Sequence, residues 1–125
     1  MATLGMILST LAAIGFVLIG IVAIFQPAIL SHLFGLYVHE ANGRGFVQAT
    51  GARDLAIGMM MLLFVFRVPA AVAPTFAVGG FLALCDLLIV WRRNGAFSPH
   101  LLFHAFGIVF LLGIATIVGI TTPPR

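Results

Sequence analysis

Four runs of about twenty apolar residues each dominate this chain, at about residues 5–26, 46–66, 69–91 and 99–121, and each is long enough as a helix to cross a hydrocarbon core roughly 30 Å thick. Lipid offers no water to backbone N–H and C=O groups, so a spanning segment must be a helix or a strand of a closed barrel. Segments of about ten residues with alternating hydrophobicity, the mark of a barrel strand, are missing. The expected fold class is therefore all-α. It is an integral membrane four-helix bundle, one transmembrane domain over residues 1–125, with a short interfacial segment between helices one and two.

The composition leaves no room for a water-soluble alternative. A 125-residue domain has a large surface to cover, and this one is 62% hydrophobic with only six basic and three acidic side chains; its mean hydropathy is +1.25. Most of that surface has to face lipid. The net charge of +3 does not argue for nucleic acid, because the basic residues are all Arg and are scattered rather than gathered on one face. They suit helix ends against lipid headgroups. Cys85 stands alone inside an apolar run, which excludes an intrachain disulfide and leaves it a packing role. The first run is not read as a cleaved leader: no Lys or Arg precedes it, it is longer than an ordinary signal core, and no small-residue cleavage site follows.

Helix boundaries are marked by proline and glycine. Pro27 closes the first span after Gln26, and Pro69 opens the third just beyond Arg67, where a missing N–H is harmless. Arg92, Arg93, Asn94 and Gly95 form the third connection. Ser98 is expected as an N-cap with Pro99 at the first helical position. Residues 121–125 are read as a short exposed end. The first connection, Pro27 to Gly45, is too apolar for a solvated loop, since it carries Ile29, Leu30, Leu33, Phe34 and Leu36. It is expected to lie in the interface as a short amphipathic or re-entrant segment, with Tyr37 at headgroup level, and to cap the bundle. Glycines within the spans read as close-packing positions. Orientation is undecided by charge, with Arg67 and Arg125 on one side and Arg44, Arg92 and Arg93 on the other.

Topology and helical rise together locate the ionisable residues. With about 1.5 Å of rise per residue, Arg53 and Asp54 lie roughly 10 to 12 Å inside the face that carries the first and third connections. Asp86 and His104 each lie roughly 8 Å inside the same face. Four ionisable residues from three helices thus share one layer, while the other half of the bundle has none. Charges in lipid are costly unless paired or hydrated, so they face the bundle interior and mark function. Helical phase aligns Thr50, Arg53, Asp54, Ile57 and Met61 on helix two, Gly79, Ala83 and Asp86 on helix three, and His100, His104 and Gly107 on helix four. The expected arrangement is a polar cup over an apolar floor, open toward the first connection and its His32, His39, Glu40 and Arg44.

Arg53 and Asp54 point about 100 degrees apart on a helix, so each is expected to seek partners on other helices. One outcome is an interhelical lock in which Arg53 clamps Asp86. The other is a buried carboxyl group at Asp54 or Asp86 that exchanges a proton with an apolar ligand, with His104 as a hydrogen-bonding or acid–base partner of Asp86. Arg53, Thr50, Arg44 and His100 are the candidates for holding or stabilising substrate. His100 and His104 are spaced for a metal, but without an H-E-x-x-H signature or further ligands no metal is assigned. Met59, Met60 and Met61 face different ways and read as packing. No nucleotide loop, nucleophile elbow or other cofactor signature occurs, and no cofactor is expected.

Phe34-Gly35-Leu36, Gly51-Ala52-Arg53-Asp54-Leu55 with Gly58, then Asp86 and His104, resemble a family of small four-helix membrane proteins, domain of unknown function 4267, itself more distantly similar to DoxX-like proteins. The resemblance covers nearly the whole chain; it implies this fold and this site and names no reaction. Three functions follow from the residues. The first is an intramembrane enzyme acting on a small lipophilic substrate, an isomerase, cyclase or cofactor-free oxidation type, with Asp54, Asp86 and His104 as acid–base groups and Arg53 stabilising an anion or oxygen. The second is a non-catalytic membrane subunit or assembly protein whose charges lock the helices. The third is a proton-coupled transporter, which would act as a homo-oligomer because four short helices rarely make a full alternating-access path. The partners expected are the lipid bilayer and a small lipophilic ligand.

Overall fold

The computed structural model describes residues 3–95 and 98–122. The expectations placed on Pro123, Pro124 and Arg125 lie outside them. Helix α1 (Thr3–Phe25) breaks at Gln26, and Pro27 starts the short helix α2 (Pro27–Leu33) at its first position, where the lost N–H had no partner to lose. A stretch without regular structure leads to α3 (Ala41–Arg67). A single 3₁₀ turn (Pro69–Ala71) feeds α4 (Val72–Asn94), and α5 (His100–Thr121) completes the chain. Thr3–Phe25, Ala41–Arg67, Pro69–Asn94 and His100–Thr121 are the four segments long and apolar enough to cross a membrane.

Three boundaries differ from expectation. Helix α4 runs on through Arg92, Arg93 and Asn94, the residues expected to form the third connection, and stops before Gly95. Helix α3 begins at Ala41 rather than near residue 46, because Asn42, Arg44 and Gln48 lower the hydropathy without breaking the backbone ladder, and the Arg44 N–H already bonds to the Glu40 carbonyl. Polarity ends a hydrophobic run, not a helix. At α5 the Ser98 hydroxyl makes no capping bond; its carbonyl instead accepts from the Leu101 N–H at 3.0 Å, and the helix starts at His100.

The four long helices pack as two close pairs, α1 with α3 and α4 with α5, which meet each other over much less surface. Glycine makes the first seam: a Cβ on Gly20 would lie 2.5 Å from the Leu55 nitrogen and 2.7 Å from the Gly51 carbonyl oxygen, and one on Gly58 would lie 2.7 Å from the Val17 nitrogen. The backbones touch there, as small residues permit in lipid. A core of Ala12, Ala13, Met61, Val65, Phe76 and Ile114 among others packs the end of the bundle remote from α2. Outside it, Leu18, Phe66, Val78, Phe81, Val109 and Ile120 are exposed on the surface. Such a girdle belongs in hydrocarbon, and the chain is a multi-pass membrane four-helix bundle.

Candidate functional site

The end of the bundle under α2 is built by side chains that catch α2's final carbonyls. Helix α2 ends with unsatisfied C=O groups, as every helix does. Three consecutive carbonyls are met from the other helix pair: His100 Nδ1 lies 3.1 Å from the Leu33 oxygen, His104 Nε2 3.3 Å from the Phe34 oxygen, and Asn94 Nδ2 donates to the Gly35 oxygen at 2.6 Å. A carbonyl only accepts, so each imidazole carries its hydrogen on the named nitrogen, and Nδ1 is the free nitrogen of a neutral His104. Gly35 makes the turn possible twice over. Its φ is +76°, and a Cβ there would run into the His100 side chain at 2.7 Å. The first connection does cap the bundle, as a clamped helical turn.

Clamping α2 fixes Phe34, whose ring stacks on the His104 imidazole at 5.4 Å and meets Phe103 edge-on at 5.3 Å. The loose contact between the two helix pairs leaves two cavities beside this stack. One, of about 250 Å³, opens between α1 and α5 and is lined by Gly15, Phe16, Gly79, Ala83, Phe106 and Phe110 among others. The other, of about 330 Å³, opens between α3 and α4 beneath α2 and includes Leu30, Phe46, Thr50, Arg53 and Val90. Phe34, Asp54, Asp86 and His104 line both. These four side chains form the partition between an apolar cavity and a more polar one.

The expected layer is therefore assembled, with a different wiring. Arg53 donates from Nε (3.4 Å) and Nη2 (3.3 Å) to one oxygen of its own neighbour Asp54. The long arginine arm bends back through the angle that separates the two residues, which is why the pair forms, and also why it is long and reaches only one carboxylate oxygen. Arg53 does not clamp Asp86. Among the described residues no hydrogen bond or ion pair reaches the Asp86 carboxyl, and His104 bonds to α2 rather than to Asp86.

Gly79, Ala83 and Asp86 share the apolar cavity as their spacing foretold, as do His104 and Gly107. Thr50 and Arg53 line the second cavity. Arg44 and His100 line neither: Arg44 donates to the His39 carbonyl at 3.2 Å, and His100 holds α2. Met61 packs in the core while Met59 and Met60 are exposed. Among the described residues no group of three or more His, Cys, Asp or Glu is placed to hold a metal ion. Two positions that shape the candidate site escaped the sequence reading. Phe34 entered it only as a residue of an apolar connection and of a resemblance, and Asn94 only as part of a turn; the F-G pair ahead of a polar helix start was the one signal for a fixed turn there.

No curated protein and no solved structure matches the chain. Residues 13–118, from the middle of α1 to the last turns of α5, match the family described as Domain of unknown function (DUF4267). Because that match takes in most of the chain and every residue of the partition, the chain belongs to this family of proteins.

Proposed function

We propose that this protein is an intramembrane acid–base enzyme for a small lipophilic molecule, with Asp54, Asp86 and His104 as the groups that exchange protons with it. The observation that carries the reading is the partition: three of its four members are ionisable, and all face an apolar cavity as well as a polar one. A substrate body in the apolar cavity would place one polar atom against two carboxyl groups and an imidazole. One carboxyl then protonates that atom or its conjugated carbon while the other group removes a proton, which suffices for isomerisation or cyclisation without a cofactor. Arg53, which lines the polar cavity, supplies a cation beside Asp54 and balances the charge of that carboxylate.

The rival reading, charges as a lock between helices, is weakened by the wiring. The ion pair lies within α3, and Asp86 holds nothing. Purified wild type, Asp54→Asn, Asp86→Asn and His104→Ala, compared by thermal shift and by mass spectrometry of co-purifying lipophiles, separate the two. The acid–base reading expects Asp86→Asn to fold with an unchanged melting temperature in ligand-free detergent and to lose a molecule that wild type retains. Variants that unfold, with no loss of a specific molecule from the folded fraction, would leave the lock as the better account.

A further inference from the structure

The cavity between α1 and α5 carries more information about its occupant than the acid–base groups alone. Its volume is about 250 Å³; an apolar cavity of about 150 Å³ holds benzene, so in proportion this one holds about ten heavy atoms, the size of two fused rings. Phe16, Phe34, Phe103, Phe106 and Phe110 supply five aromatic rings to its lining, and aromatic walls favour flat partners that stack or meet them edge-on. Two of its lining residues, Leu11 and Phe106, are 58% and 66% exposed on the outer face of the bundle. The mouth therefore opens sideways, at the level of the hydrocarbon, rather than toward water. At the inner end stand the Asp86 carboxyl, which no described side chain engages, and His104, whose Nδ1 is unused. Arg53 is absent from this lining. An anionic ligand would thus meet carboxyl groups with no cation facing it, whereas a hydroxyl, which both donates and accepts, matches carboxyl and imidazole in either protonation state.

We infer that this cavity takes a compact ring lipophile bearing one hydroxyl group, which enters laterally from the bilayer between α1 and α5 and sets its hydroxyl against Asp86 and His104. The inference rests on the acid–base reading and names its substrate class. Gly15 and Gly107 keep the entrance open. A Cβ on Gly15 meets nothing within 4 Å, and one on Gly107 meets only the Ala83 methyl at 3.7 Å. A larger side chain at either position fills the passage without striking the backbone.

Fluorine NMR of a fluorinated β-naphthol, added to the purified protein in detergent, tests this, because bound probe is resolved from probe dissolved in micelles. Wild type is expected to show a saturable bound resonance, and the matching fluoronaphthalene without the hydroxyl to bind about tenfold more weakly. Gly15→Leu and Gly107→Leu are each expected to lower naphthol affinity about tenfold or more at an unchanged melting temperature. Gly113→Leu, at another open position, should bind as wild type does. No bound resonance in wild type, equal binding of the two probes, or displacement by decanol as effective as by unlabelled naphthol would overturn the inference, the last by marking the cavity as an acyl-chain groove. Should Gly15→Leu fail to fold, Gly107→Leu decides whether this cavity is the binding site. If Asp86→Asn loses a co-purifying lipophile while both glycine variants bind naphthol like wild type, the assignment of the ligand to this cavity falls and the acid–base reading stands.

Discussion

Arg53 and Asp54 show how far a single residue pair can be read before its surroundings are known. Their depth follows from counting helical rise, and the common layer with Asp86 and His104 follows from topology; both are properties of the backbone. The partner of Arg53 is not such a property, because a flexible side chain can turn back on its own helix and here it does, at 3.3 Å to one Asp54 oxygen. Because the pair is confined to α3 and bridges no two helices, Arg53→Gln should leave the thermal unfolding midpoint in detergent close to that of wild type. His104 was legible as a buried partner, and its actual acceptor, a backbone carbonyl on α2, was not. Hydrogen bonds to backbone carbonyls leave no residue-type signature.

At the scale of elements, the spans were legible because lipid imposes length and apolarity on them, and the helix pairs were not, because pairing depends on where glycines from different helices coincide. Gly20, Gly51 and Gly58 do coincide, so Gly58→Leu should destabilise the bundle by about 1–3 kcal/mol or more through overpacking. Gly113, with open space around it, should accept Ala with a gain of about 0.5–1 kcal/mol; unfolding titrations of the two variants compare them directly. Helix α2 was readable as an interfacial cap from Ile29, Leu30 and Leu33, but its clamp required Asn94, His100 and His104 to meet three successive carbonyls. Asn94→Ala removes the shortest of these bonds. Amide exchange over residues 27–33 should then rise about tenfold, the equivalent of about one lost hydrogen bond, while exchange in the α1–α3 seam stays unchanged.

Across the whole molecule, two tight helix pairs joined by a loose seam make a bundle with an apolar core toward one end, its polar groups toward the other, and cavities in both halves. That asymmetry puts Asp54, Asp86 and His104 against the two cavities under α2, so these groups stand beside space rather than filling it. It also sets the frame in the bilayer: spin labels at Val78, Phe81 and Val109 should be relaxed by oxygen, and one at Arg93 by a water-soluble nickel complex, with the reverse pattern contradicting the transmembrane arrangement. The central claim is that the polar layer is a site and not a lock between helices. A double-mutant cycle on Arg53→Gln and Asp86→Asn, read as unfolding free energies, tests it most directly. The two residues line one cavity but share no bond, so the account predicts a coupling of no more than about 1 kcal/mol; a coupling of about 3 kcal/mol or more, as for a buried ion pair, would mean that Arg53 and Asp86 hold the helices together after all.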